Sequence, residues 1–177
     1  GYETNQNAIA TPSVSYHLDG IYIASPYSLQ TEFMDLERIE VLRGPQGTLF
    51  GQNSTGGAIN VITSAPSLDE STSYADVTFG DYSLLKTRAS FNRPINESVA
   101  VRASFITNKR DGFTDNLSTG QDLDDADSIS ARVRLLYQPS DTFRANFTAQ
   151  IFDENRNGSA QKGLLDTTPN PRELRQD

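Results

Sequence analysis

Five glycines crowd one stretch of this chain: Ile39-Glu40-Val41-Leu42-Arg43-Gly44-Pro45-Gln46-Gly47-Thr48-Leu49-Phe50-Gly51, followed shortly by Thr55-Gly56-Gly57-Ala58-Ile59-Asn60-Val61-Ile62-Thr63. A glycine-rich turn before a helix can cradle phosphate, because its unpaired N–H groups point at the anion. The detail opposes that chemistry. Gly44, Gly47 and Gly51 do not form the dinucleotide pattern, and Gly57-Ala58 stands where a phosphate loop needs Lys followed by Ser or Thr. Arg43 is the second candidate. A guanidinium enclosed between packed parts needs bidentate carboxylate partners, and losing them would strand a charge. Its bland alternative is a surface pair with Glu40 or Glu37, which contributes little. The third candidate is the loop 111–127, with Asp111, Asp115, Asp122, Asp124, Asp125 and Asp127 and no base. Clustered carboxylates can hold calcium, but the spacing is not that of an EF-hand, so a solvated acidic loop is the reading. His17, the only histidine, falls at a polar position with no nucleophile or carboxylate constellation around it. No catalytic residue, cofactor or metal is therefore expected, and no enzyme activity.

The elements around these residues fall into two halves, 1–66 and 67–177, divided at the polar stretch Ser64-Ala65-Pro66-Ser67-Leu68-Asp69. In the first half Val14, Tyr16 and Leu18 alternate with polar residues, as do Ile21 and Ile23, and Asp19-Gly20 lies between. Asp-Gly in that setting predicts a type I′ hairpin. Asp35-Leu36-Glu37-Arg38 predicts a helical turn with Asp35 as its N-cap, followed by a short strand from Ile39. Pro45 suits the first turn of a helix and Gly51 its end. Residues 58–63 read as another strand. The half is a small α+β unit: a small mixed sheet with short helices. Tyr22, Tyr27 and Phe33 are read as packing within it, with a ligand path above it as the alternative.

The second half is written in long alternating strands at 72–80, 84–93, 98–109, 128–138 and 142–152. Val77 and Phe79, Leu85 and Phe91, Val101 and Phe105, Val133 and Leu135, and Phe147 and Ile151 represent one face. Asp76, Lys86, Arg88, Arg102, Arg132, Arg134 and Arg144 fall on the other, and the first exception is Lys109 at the rim. Five such strands in succession, each of about 9–11 residues, match tilted membrane strands. A basic, polar face opposite an apolar one tolerant of alanine fits a wet lumen opposite lipid. Pro-containing turns are expected at 93–97 and 138–141 on the periplasmic side. The tight turn 80–83, the long loop 110–127 and the tail from Asp153 are expected outside. A soluble secreted β-sandwich acting as a binding module is the bland alternative, and a passive porin a further one.

Composition agrees without deciding. The chain has 177 residues, no cysteine and no tryptophan, and a net charge of -8. Disulfides and cysteine metal sites are excluded, and nucleic acid is a poor partner for so acidic a chain. Mean hydropathy is -0.52, and no apolar run is long enough for a transmembrane helix, a test that barrels escape. The first residues read as the middle of a loop and the last carry no stop-like feature, so both ends are expected to be cuts.

At the residues quoted above the chain resembles the plug domain of TonB-dependent outer-membrane receptors. The matching residues are Tyr16-His17-Leu18-Asp19-Gly20-Ile21-Tyr22-Ile23, Asp35-Leu36-Glu37-Arg38-Ile39-Glu40-Val41-Leu42-Arg43-Gly44-Pro45 and the segment 55–63. They fall in the family's order and spacing. The resemblance covers 1–66 as the C-terminal part of the plug, and more loosely the strands from 72 on as the start of the barrel. It implies an incomplete 22-stranded antiparallel transmembrane barrel with its lumen plugged. It also implies uptake of a scarce nutrient, most often a ferric siderophore, across the outer membrane of a Gram-negative bacterium. The drive comes from the inner-membrane TonB complex through a segment outside this chain. Glu40, Arg43, Gly44, Pro45, Gly51, Gly56, Gly57 and Asn60 would form the plug motif, with Arg43 reaching wall carboxylates. Gly1-Tyr2 resembles a pair that a second plug arginine precedes. Lys86, Arg88, Arg102, Arg132, Arg134 and Arg144 would face the lumen, against the plug or a hydrated path.

Overall fold

The computed structural model describes residues 13–24, 34–51, 53–161, 166, 168–170 and 172–175. Gly1, Tyr2, Tyr27 and Phe33 lie outside them. The chain divides into two compact units, Gly1–Ala65 and Pro66–Asp177.

The first unit is built on a four-stranded mixed sheet. Strands β1 (Val14–Leu18), β2 (Ile21–Tyr22), β3 (Leu36–Arg43) and β4 (Gly57–Thr63) lie in the order β2-β1-β4-β3. β1 and β2 form the antiparallel hairpin that Asp19-Gly20 predicts, with φ of 50° and 81° at the two turn residues. β4 runs parallel to β1 and antiparallel to β3. The expected helical turn at 35–38 is instead the start of β3: Asp35 sits at φ 55°, which is no N-cap conformation, and its carbonyl accepts from Ser64 N at 2.9 Å. Pairing with β4 overrides the local preference. The single short helix of the described residues, α1 (Gly47–Phe50), ends at Gly51 as expected. Pro45 stands one residue ahead of the cap Gln46, not in the first turn.

The second unit is an antiparallel meander of β5 (Thr72–Gly80), β6 (Leu84–Asn96), β7 (Val99–Arg110), β10 (Ala126–Ser140) and β11 (Phe143–Glu154), with spatial order β11-β10-β7-β6-β5. The five alternating segments are all strands, but four run on past the expected ends, β7 by a single residue. β6 continues through Pro94 and β10 through Pro139, each with a register irregularity there. Proline donates no ladder hydrogen bond, so a strand admits it where pairing is already broken. The turns shrink to Glu97-Ser98 and Asp141-Thr142. The loop 110–127 is not featureless. It carries β8 (Thr114–Asn116) and β9 (Gln121–Leu123), and the tail returns as β12 (Glu173–Leu174) to pair with β8. Five strands form an open sheet, and no closed barrel is present in the described residues.

Candidate functional site

β4 organises the first candidate site. Its Asn60 lies beside His17 on β1 and Glu40 on β3. The Asn60 side chain ties three segments together: Oδ1 accepts from Gly20 N at 3.2 Å, and Nδ2 donates to Glu40 Oε2 at 3.1 Å. Arg38 Nε donates to the other Glu40 oxygen at 2.8 Å, and Arg38 also pairs with Glu37. The Arg38 guanidinium, with help from the Asn60 amide, holds the Glu40 carboxyl below its ordinary value. At the strand's end the Asp19 carboxylate accepts from Thr63 N at 2.8 Å and from Thr63 Oγ1 at 2.7 Å, fixing the hairpin turn to β4.

The glycines position backbone, not a ligand. Gly57 faces the end of β3 so closely that a Cβ would lie 2.5 Å from the Leu42 carbonyl oxygen. A Cβ at Gly56 would meet Ser13 O at 3.2 Å, and Gly56 N donates to that same oxygen. Gly44 N donates to Gly56 O, and Gln46 N to Ser54 O, so the loop between β3 and β4 closes on its own backbone. The N–H groups of Gly44, Gln46, Gly51 and Gly56 are thus engaged by backbone carbonyls and are not turned toward an anion.

Arg43 ends β3 as an exposed residue opposite Gly57, and among the described residues it forms no ion pair. The surface pair weighed for it is made instead by Arg38, which takes both Glu37 and Glu40. His17 is buried, not at a polar surface position: it is 4% exposed, hydrogen-bonded to Ser15 Oγ at 3.1 Å and packed on Phe50 with ring centroids 4.7 Å apart. The alternation in β1 buries Ser15 and His17 and leaves Val14, Tyr16 and Leu18 half-buried, so sequence polarity misjudged the face.

The second site is the face carrying the basic residues. Register places Asp76, Arg88 and Ile106 in one cross-strand row, Asn92, Arg102, Arg134 and Thr148 in another, and Ser90, Ser104, Arg132 and Gln150 in a third. Lys86 shares this face opposite Thr78 and Asn108, and Arg144 follows by the same alternation near the β10–β11 turn. Arg88 Nε lies 3.1 Å from both Asp76 oxygens, and Arg132 Nε donates to Gln150 at 3.0 Å. This polar face is the better buried one: Ser90, Asn92, Ser104, Ser130 and Arg132 are all buried. The opposite face presents Val77, Phe79, Phe91, Val133, Phe147 and Ile151 with 49% to 77% exposure. The rule that charges keep to one face needs three corrections besides Lys109: Asp127 opposite Lys109 and Asp153 opposite Ile129, both at strand ends that were expected to be loop, and Arg93. Arg93, expected in a turn, is in β6 on the apolar face opposite Val101, near the strand end, where a long side chain can reach water.

At the other end of the strands the acidic loop is bound to the tail rather than merely solvated. Asp124 accepts from Thr114 Oγ1 at 2.7 Å and from Ala160 N at 3.0 Å, and Asp125 accepts from Asn157 N at 2.8 Å. Arg172 donates to the Tyr82 hydroxyl at 2.5 Å and lies over its ring, and Arg110 lies over Phe113. The turn after β5, the loop after β7 and the tail thus share one end, as strand alternation predicts.

The family model "TonB-dependent Receptor Plug Domain" matches residues 4–58. The chain is 32% identical over 134 residues to the pesticin receptor of Yersinia pestis, an alignment covering 73% of this chain and 19% of that protein. It is 30% identical over 158 residues to the rhizobactin receptor of Rhizobium meliloti, covering 78% and 21%. Among solved structures it superposes on the ferric yersiniabactin uptake receptor FyuA of Yersinia pestis with a TM-score of 0.69 at 27% identity, covering 79% of this chain and 22% of that one. The ferripyoverdine receptor of Pseudomonas aeruginosa shares the fold with a TM-score of 0.63 at 19% identity, covering 79% and 19%. The chain thus spans about a fifth of the length of these relatives.

Proposed function

Because this chain belongs to the TonB-dependent receptor family, we propose that it forms part of an energy-coupled receptor that carries a ferric siderophore across the outer membrane of a Gram-negative bacterium. Residues 1–66 supply the C-terminal part of the plug. Residues 67–177 supply the first strands and loops of a 22-stranded barrel. The inner-membrane TonB complex supplies the drive through a segment outside this chain, and lipid covers the apolar face of the strands. The relatives are receptors for siderophores or for pesticin, which supports a receptor and not an enzyme.

One observation carries the reading: the sheet exposes its apolar face, while along its inner strands β6, β7 and β10 the polar face is the buried one. A strand facing water does the opposite, because burying a charge costs unless it is paired while burying apolar surface is favourable. Lipid reverses the sign. Lys86, Arg88, Arg102, Arg132, Arg134 and Arg144 then line the lumen, where they meet plug groups or a hydrated path. Arg43, exposed and without an ion pair among the described residues, is set to meet carboxylates of the wall. The end of the strands that carries the loop sheet β12-β8-β9 is the side from which the siderophore arrives.

Sodium carbonate extraction of membranes from cells making the whole receptor tests this. The receptor is expected to stay in the pellet and to need detergent for release. Recovery in the wash would favour the secreted sandwich and defeat the proposal.

A further inference from the structure

The segment 66–71 leads the chain into β5, and one side chain grips it. Asn92, in β6, is 2% exposed and stands on the polar face. Its Oδ1 accepts from Ser67 N at 2.9 Å, and its Nδ2 donates to Ser67 O at 3.0 Å and to Glu70 O at 2.6 Å. The amide engages both backbone groups of Ser67, the pair of bonds that a residue of a neighbouring strand would exchange. Pro66 beside it is buried. The β5–β6 ladder ends at Thr72 opposite Asn92 itself, so the clasp extends the sheet's hold upstream of the last paired residue. An antiparallel ladder pulled from its end opens one bond at a time, whereas the Asn92 clasp loads its two Ser67 bonds together, with the bond to Glu70 behind them.

We propose that Asn92 is a positioning residue that marks where plug extraction stops. Tension on the plug travels along the chain and reaches Pro66 before β5. The clasp then holds Ser67 and keeps the first wall strand in register while the plug yields. The role rests on the energy-coupled reading above, but the clasp itself is a structural claim that can fail separately.

The experiment uses the intact receptor in native outer-membrane vesicles, pulled by a handle at the plug's N-terminal side. The native protein is expected to extend as far as residue 66 and then resist. Asn92→Ala is expected to release a further segment of roughly 50 Å, the extended length of the chain from Ser67 to the end of β5. Hydrogen exchange across 64–71 in the same vesicles should quicken by ~10-fold in the variant while β7 and β10 keep their protection. If Asn92→Ala does not assemble, Asn92→Asp serves, since it keeps the size and removes both donors. A barrier that stays at the same extension, or unchanged exchange at Ser67, overturns the clasp. An intact clasp in a receptor whose uptake is indifferent to the TonB complex would instead count against the functional reading.

Discussion

β4 and β10 are both interior strands, hydrogen-bonded to a neighbour on each side, yet their side chains meet opposite surroundings. β4 is buried on both faces, with Ala58, Asn60, Val61 and Thr63 all enclosed. Its polar residues are there because each has a partner, Asn60 with Gly20 and Glu40, and Thr63 with Asp19. In β10 the buried positions include Ser130 and Arg132, while Ile129, Val133, Leu135 and Tyr137 stand out from the other face. The first strand belongs to a core enclosed on both faces. The second belongs to a sheet whose apolar side chains stand exposed, which on the proposed reading is where hydrocarbon lies. The contrast teaches that alternation alone gives the period of a sheet, and that the sign of burial tells what lies outside it.

The largest expected effect concerns the wall's edges. β5 and β11 each have one neighbour among the described residues, and every unpaired backbone group in hydrocarbon costs several kcal/mol. The 177-residue chain alone is therefore expected not to insert into liposomes; protease-protected, heat-modifiable insertion would break the contrast between wall and core. Next is Val133→Arg on the exposed face of β10. It should destabilise the folded receptor in bilayers by about 2–4 kcal/mol in urea titration, where a water-exposed site would tolerate it almost without change. In the other sheet, Gly57→Ala forces a Cβ against the Leu42 carbonyl and should cost about 2 kcal/mol, read as faster hydrogen exchange in β3 and β4 with no change in β10. The smallest effect is acid sensitivity at Glu40. Its carboxyl is held low in the fold, so its stabilisation is present above the ordinary carboxylate range and lost as pH falls through the lower folded value. Protection of β3 should therefore weaken on acidification, and Glu40→Gln should remove that dependence.

The sheet was legible in sequence because its period of two persists over long segments, and the register puts Lys86, Arg88, Arg102, Arg132, Arg134 and Arg144 on one face, with Lys109 and Arg93 on the other near strand ends. The Asp19-Gly20 turn was legible because few sequences accept positive φ at two successive positions. Other features depended on distant partners. β3 begins at Leu36 because Asp35 meets Ser64, which no local pattern at 35–38 records. β8, β9 and β12 are two or three residues long, and β12 pairs across more than fifty positions of chain, so neither length nor periodicity announces them. Arg38, not Arg43, takes Glu37 and Glu40; an Arg two residues from Glu40 on an extended strand shares its face, and that spacing was the available signal. Asn92 looked like one polar residue among several, because its partners at 67 and 70 are backbone groups without a sequence signature.

These 177 residues contain no cysteine, so the central claim can be tested one position at a time along them once any cysteine elsewhere in the receptor is replaced by serine. Single cysteines placed along β10 from 129 to 136 in the whole receptor would be spin-labelled in bilayers and their collisions with oxygen and with a water-soluble nickel chelate compared. Oxygen should dominate at 129, 131, 133 and 135, and the pattern should reverse at 130, 132, 134 and 136. Access of the nickel chelate to the first set, or no alternation at all, would contradict a wall that faces lipid with its apolar side.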